Sequence, residues 1–154
     1  MYKFESKVVL VTGSTRGLGQ QIAKDFAKNG AKVIVTGRDS AAIDAVVAEC
    51  CSLSPCGVEA VGFVADVTKV DQIKDLVSNA VQKCGKLDVL VNNAGAGVFG
   101  SIEDEDILDK FDKMIKLNLY SVIAFTHAAL PHLKETKGNI VNMTSIVASR
   151  PVSL

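Results

Sequence analysis

Neither sign of charge is in excess: lysine plus arginine and aspartate plus glutamate number 17 each. The balance gives no electrostatic reason to expect nucleic acid or an acidic membrane surface as a partner. No apolar run reaches membrane-spanning length, although 48% of the 154 residues are hydrophobic. The N-terminal residues carry no signal-peptide pattern, because the apolar run after Lys7 is too short and serves better as a strand. These absences lead us to expect a soluble, cytoplasmic domain spanning residues 1–154. Cys50, Cys51, Cys56 and Cys84 match no zinc or thioredoxin-like spacing. They read as reduced thiols, with a disulfide among the first three the alternative. His127 and His132 stand five apart, a poor spacing for one metal, so no metal site is expected. There is no repeat, low-complexity segment or linker, no Gly-x-Ser-x-Gly elbow and no Gly-Lys-Ser/Thr phosphate loop.

The stretch that organises the chain is Val8 to Gly19. Val8 to Val11 are apolar and bounded by a glycine turn, as in a strand buried on both faces. Gly13, Gly17 and Gly19 then lead into an amphipathic helix through Leu18, Ile22, Ala23, Phe26 and Ala27. The first N–H groups of a helix lack intrahelical partners, and the helix dipole favours an anion there. Glycine lets a phosphate approach the backbone with no Cβ in the way. The motif therefore reads as a pyrophosphate cradle, and a plain tight turn is the alternative.

Strands and helices alternate from there. Strands are expected at Lys32–Thr36, Val58–Val64, Leu87–Val91 and Gly138–Thr144. A helix capped by Asp39 or Ser40 carries Ile43, Val46, Val47 and Cys50. Another, opened by a Thr68-x-x-Asp71 capping box, carries Ile73, Leu76, Val77, Ala80, Val81 and Cys84. An acidic cluster, Glu103 to Asp106, opens a long helix running to about Pro131. Such alternation predicts a doubly wound, Rossmann-type parallel α/β sheet of order 3-2-1-4-5. Ligands of such sheets bind beyond the carboxyl ends of the strands where the order reverses, between strands one and four. The glycine loop and Asn92-Asn93-Ala94-Gly95 are thus expected to be neighbours there.

Two further residues could carry chemistry. Asn118 lies in the stripe of Phe111, Met114, Ile115, Val122 and Phe125, where a buried amide needs partners. It is either a structural amide or a functional one. Ser145 ends the fifth strand and reads as a hydrogen-bond donor to a substrate oxygen, or as a loop or capping serine.

Thr12-Gly13-x-x-x-Gly17-x-Gly19, Asp66-Val67, Asn92-Asn93-Ala94-Gly95, Asn118 and Asn139 to Ser145 together resemble the short-chain dehydrogenase/reductase family over nearly the whole chain. The resemblance implies an NAD(P)-dependent oxidoreductase, moving hydride between nicotinamide and a small carbonyl or alcohol substrate. It implies that Gly13, Ser14, Thr15, Arg16, Gly17, Leu18 and Gly19 cradle the pyrophosphate. Asp66 would bond the adenine amino group, with Val67 beside it. Asn93, Ala94 and Gly95 would line the ribose side, and Asn92 would steady the sheet. Asn118 and Ser145 would be two of four catalytic positions, and the complete domain would form a homo-oligomer.

Cofactor choice has a physical reading. An acid ending the second strand would accept from the ribose 2′-OH and select NAD. Gly37 stands there, Arg38 follows and Arg16 lies in the glycine loop. Two guanidinium groups suit a 2′-phosphate, so NADP(H) is expected over NAD(H). The alternative is that both are solvated, with Asp39 near enough to pair with Arg38.

The resemblance also implies a Tyr-x-x-x-Lys after Ser145, whose lysine lowers the tyrosine pKa. Residues 146–154 contain neither residue type, and neither Tyr2 nor Tyr120 has the lysine. The family's last helix, strands and substrate loop are missing as well. The sequence is therefore expected to be a C-terminally truncated domain, inactive by itself and weakly stable, with its fifth strand at an edge. A catalytically inactive nucleotide-binding module, acting by binding or dimer interference, is the second reading.

Overall fold

The computed structural model describes residues 3–55, 57–97 and 99–146. Five parallel strands form one sheet: β1 (Val8–Val11), β2 (Lys32–Gly37), β3 (Val61–Val64), β4 (Val89–Asn92) and β5 (Asn139–Asn142). Their order is β3-β2-β1-β4-β5, as the alternation predicts. Successive side chains of β1 face opposite ways, and both ways are apolar. Val8 and Leu10 join a core with Ile73, Leu76, Phe125, Ala129 and Leu133. Val9 and Val11 join another with Ala23, Ala27, Ile43, Val46 and Cys50. Helices α1 (Gly17–Lys28) and α2 (Ser40–Leu53) thus cover one face. Helices α3 (Val70–Cys84) and α5 (Ser121–Thr136) cover the other, after α4 (Ile107–Ile115).

The ends of these elements have local causes. Asp39 caps α2 by accepting from the N–H groups of Ala41 and Ala42. Gly85 ends α3 in the left-handed conformation at φ 82°. The Thr68-x-x-Asp71 box does not form. The Thr68 N–H and hydroxyl both donate to Asp66 Oδ1, and α3 begins after Lys69 with no side-chain cap. The third strand is shorter than expected. Val58 N–H donates to Ser54 Oγ and Ala60 N–H to Cys51 Sγ, which takes that segment off the ladder. The fifth is shorter too, because Gly138 N–H turns back to the Leu133 carbonyl and β4 ends opposite Asn142. Cys50, Cys51 and Cys84 are free thiols, while Cys56 lies outside the described residues. Burial raises the Cys50 thiol to about 11.

The long helix differs most from expectation. Its acidic opening, Glu103 to Asp106, lies outside α4, where Lys110 Nζ bridges Asp104 and Asp106 at 2.8 Å each. Between α4 and α5 the backbone widens into a π-helical turn, Lys116–Tyr120. The inward positions run Lys110, Met114, Leu117, Ser121, Phe125, so Phe111, Ile115 and Asn118 are exposed. Pro131 sits inside α5. β5 is an edge strand among the described residues, with Val141 44% exposed. No described helix is long and apolar enough to cross a membrane.

Candidate functional site

A cleft of about 860 Å³ opens above β1 and β4, where the strand order reverses. Its walls come from the glycine loop, the end of β2, the segment after β3, the loop after β4 and Leu117. Short side chains tie these loops together. Thr12 is buried, and its Oγ1 accepts from the N–H groups of Asn93 and Ala94, each at 2.9 Å. Asn93 Nδ2 returns two bonds, to the carbonyls of Thr12 (2.9 Å) and Gly13 (3.2 Å). Asn93 thus lines the cleft while its amide donors hold the glycine loop.

The three motif glycines do different jobs. Gly13 has φ 63°, and a Cβ there would stand 2.9 Å from Ala94 Cα. Gly17 has φ 57°, and a Cβ there would meet nothing within 4 Å, so its backbone faces open space. At Gly19 a Cβ would stand 2.3 Å from Asn93 Nδ2 and 2.5 Å from the Gly13 carbonyl. Only Gly17 leaves a free approach, while Gly13 and Gly19 permit the packing of one loop on the other. Ser14 is placed unlike its neighbours. It is buried, accepts from Thr36 N–H and donates to the Val11 carbonyl, so it joins β1 to β2 instead of lining the cleft.

The start of α1 is open to an anion. Arg16 is its N-cap, without a side-chain cap, and no acidic residue occupies the first turn. Leu18 is 70% exposed and lines the cleft, an apolar surface that a ligand would cover. These features fit a dinucleotide, with its pyrophosphate at the helix N-terminus.

Arg16 and Arg38 stand on the rim, exposed, and neither forms an ion pair among the described residues. Asp39 spends its carboxylate on the α2 cap, with no ion pair to Arg38. The Thr68 N–H bond, followed by the Thr68 hydroxyl and the Arg38 charge, holds the Asp66 carboxyl below its ordinary range against some burial. Asp66 is ionised at neutral pH and remains at the cleft, with Val67 buried beside it. Ala94 and Gly95 line the opposite wall.

Asn118 grips the loop after β4 by its backbone. Its Oδ1 accepts from Ala96 N–H at 3.0 Å and its Nδ2 donates to the Ala96 carbonyl at 2.9 Å. A Cβ on Gly95 would stand 3.0 Å from that Oδ1. The π turn carries Asn118 out of the helix–sheet interface and toward this loop, which corrects the buried-amide expectation. Ser145 follows β5 on the same edge of the sheet and is exposed. Asn92 Nδ2 bonds Asn142 Oδ1 at 2.9 Å across β4 and β5, the sheet-steadying link expected of it. His127 and His132 lie apart from all this, beside a shallow hollow between α3 and α5. No group of metal-ligating side chains occurs among the described residues. The sequence left Thr12 and Leu117 without a place in the site. The Thr-Gly pair signalled the first, and nothing signalled the second.

Known proteins share this arrangement. An uncharacterized oxidoreductase of Methylorubrum extorquens is 42% identical over 148 residues, covering 96% of this chain and 58% of that protein. A short chain dehydrogenase of Burkholderia cenocepacia, solved in complex with NADP, superposes with a TM-score of 0.90. It is 36% identical, over 98% of this chain and 60% of that one. A 7α-hydroxysteroid dehydrogenase, complexed with NADH and 7-oxo glycochenodeoxycholic acid, gives a TM-score of 0.89. It is 30% identical, over 97% of this chain and 57% of that one. The chain therefore spans a little more than half the length of these relatives. The model of the family described as short chain dehydrogenase matches residues 7–154. With that match, and with the glycine loop braced against Asn93 at the reversal of the sheet, the chain belongs to the short chain dehydrogenase family.

Proposed function

We propose that this chain is the cofactor-binding part of an NADP(H)-dependent oxidoreductase acting on a small carbonyl or alcohol substrate. The observation that carries the reading is the cleft at the β1–β4 reversal with two guanidinium groups on its rim that make no ion pair among the described residues. The bound dinucleotide would supply or accept the hydride. The chain's residues would hold and orient the reactants. The start of α1, from Arg16 to Gly19, would take the pyrophosphate, and Gly13 and Thr15 would shape the loop. Asp66 would accept from the adenine amino group beside Val67, and Asn93, Ala94 and Gly95 would border the ribose. Arg16 and Arg38 would hold the 2′-phosphate. Ser145 would donate to the substrate oxygen. Asn118 would order the loop at Ala96 and hold a water for proton transfer. A homo-oligomer is part of this reading.

The test is a fluorescence titration with NADPH and NADH in parallel. We expect saturable binding with NADPH favoured. Arg38→Ala and Arg16→Ala should each weaken NADPH by roughly tenfold and leave NADH nearly unchanged, because a charge-assisted bond contributes about that factor. Equal affinity of the parent protein for both cofactors would sink the NADP(H) assignment.

A further inference from the structure

One contact on the rim is explained neither by the glycine motif nor by the arginines. Gly37 ends β2, and its φ is not in the left-handed region that favours glycine. A Cβ on residue 37 would nevertheless stand 2.6 Å from Thr15 Cγ2 and 3.2 Å from Thr15 Oγ1. Carbon atoms settle about 3.5–4.0 Å apart, so the Thr15 methyl already fills the space where a side chain at 37 would begin. The Thr15 backbone cannot easily retreat. The residue before it is anchored on both sides: Ser14 N–H donates to the Thr36 carbonyl at 3.0 Å, and Ser14 Oγ accepts from Thr36 N–H at 2.9 Å. Ser14 Oγ also donates to the Val11 carbonyl. What remains is rotation of the one Thr15 side-chain torsion, which carries its hydroxyl and methyl to new places in the cleft.

We infer that Thr15 and Gly37 form a coupled specificity pair, in which the Thr15 methyl excludes an acidic side chain from the end of β2. Residue 37 is the position from which a carboxylate would accept from a ribose 2′-OH. With Thr15 in place, that position stays bare beside Arg38, and the local field stays positive. The inference rests on the cofactor reading above for the direction of the preference. The steric coupling itself does not. Thr15 is a positioning residue here, acting through what it allows at 37.

The test is a pair of double-mutant cycles on the full chain. In the first, Gly37→Asp is made in the parent and in a Thr15→Ala background, and NADH affinity is read by titration. Alanine at 15 removes the two nearest atoms and leaves the Cβ of residue 15 at 3.5 Å from a new Cβ at 37, an ordinary contact. We expect Gly37→Asp to improve NADH binding less than about twofold in the parent and about tenfold with Thr15→Ala, roughly one well-made hydrogen bond to a charge. Thr15→Ala alone is the reference of the cycle, and the coupling is read as the departure of the double variant from the sum of the single ones. In the second cycle, Gly37→Ala is read by thermal melting without cofactor. It should lower the Tm in the parent and leave it unchanged in the Thr15→Ala background. Additive effects in either cycle overturn the coupling. If the parent binds both cofactors equally, the NADP(H) reading falls, while the melting cycle still decides the pair.

Discussion

Gly19→Ala should destabilise the protein although helix propensity predicts the reverse. Position 19 lies in the first turn of α1, where alanine would be favoured over glycine by up to about 1 kcal/mol. Against this, the new methyl would lie 2.3 Å from Asn93 Nδ2 and 2.5 Å from the Gly13 carbonyl. Asn93 cannot yield cheaply, because that nitrogen donates to both the Thr12 and Gly13 carbonyls. Expelling it forfeits two part-buried hydrogen bonds at about 1 kcal/mol each, and overpacking adds about 1–3 kcal/mol. The net is a loss of roughly 2–4 kcal/mol after the propensity gain. Urea unfolding would show it as a lower midpoint at unchanged slope. Gly17→Ala is the matched comparison, with open space around its Cβ and only the left-handed φ to oppose it, about 1–2 kcal/mol. There the methyl enters the cleft, so NADPH affinity should fall much further than stability. A Gly19→Ala protein as stable as the parent would refute the assignment of Gly19 to loop packing.

Three other perturbations test separate parts of the structure. Thr12→Val removes the acceptor of two backbone N–H groups and should cost about 1–2 kcal/mol by urea unfolding, the added apolar burial offsetting part of the loss. Asn118→Ala should speed amide exchange at Ala96 by an order of magnitude or so while the exchange of β1 and β4 stays slow. Asp88 contributes to the acid limb of stability. Its burial opposes the charge, but bonds from Lys7, the Val8 N–H and Lys86 outweigh that and hold its carboxyl below the usual carboxylate range. A lowered folded pKa means the contribution is whole above the unfolded value of about 4 and is lost as pH falls through the folded one. Urea midpoints between pH 7 and pH 3 should therefore fall less steeply for Asp88→Asn than for the parent.

The sheet order and the meeting of the two glycine loops were legible because they follow from alternation and handedness, which need no side-chain detail. The place of the cleft, at the reversal of the sheet, was legible for the same reason. What escaped was local competition for hydrogen bonds. Thr68 has the spacing of a capping box, but Asp66 two residues earlier takes both of its donors. Ser14 sits in the cradle motif, yet its hydroxyl is the size to plug the gap between β1 and β2. On the long helix a strict period marked Phe111, Ile115 and Asn118 as inward. The π turn at Lys116–Tyr120 takes up about one residue more than an α turn, so ahead of it the inward face falls one residue earlier, and periodicity does not register such a turn. The space between Thr15 and Gly37 falls short of a methyl contact by about an ångström, which no residue pattern encodes.

The wide turn at Lys116–Tyr120 also bears on how this chain lines up with others. A π turn holds about one residue more than the α turn it replaces. A helix one residue shorter would keep α4 and α5 at nearly the same angular phase, because α-helical residues advance about 100° each and π-helical residues less. The added residue is therefore invisible to the packing of Phe125, Ala129 and Leu133. It is felt in the turn itself, where Asn118 meets Ala96 and Leu117 lines the cleft. Related chains whose alignment gap falls in this turn should keep the same core and lack the clamp, so helix length here would sort homologues by how their cleft loop is held.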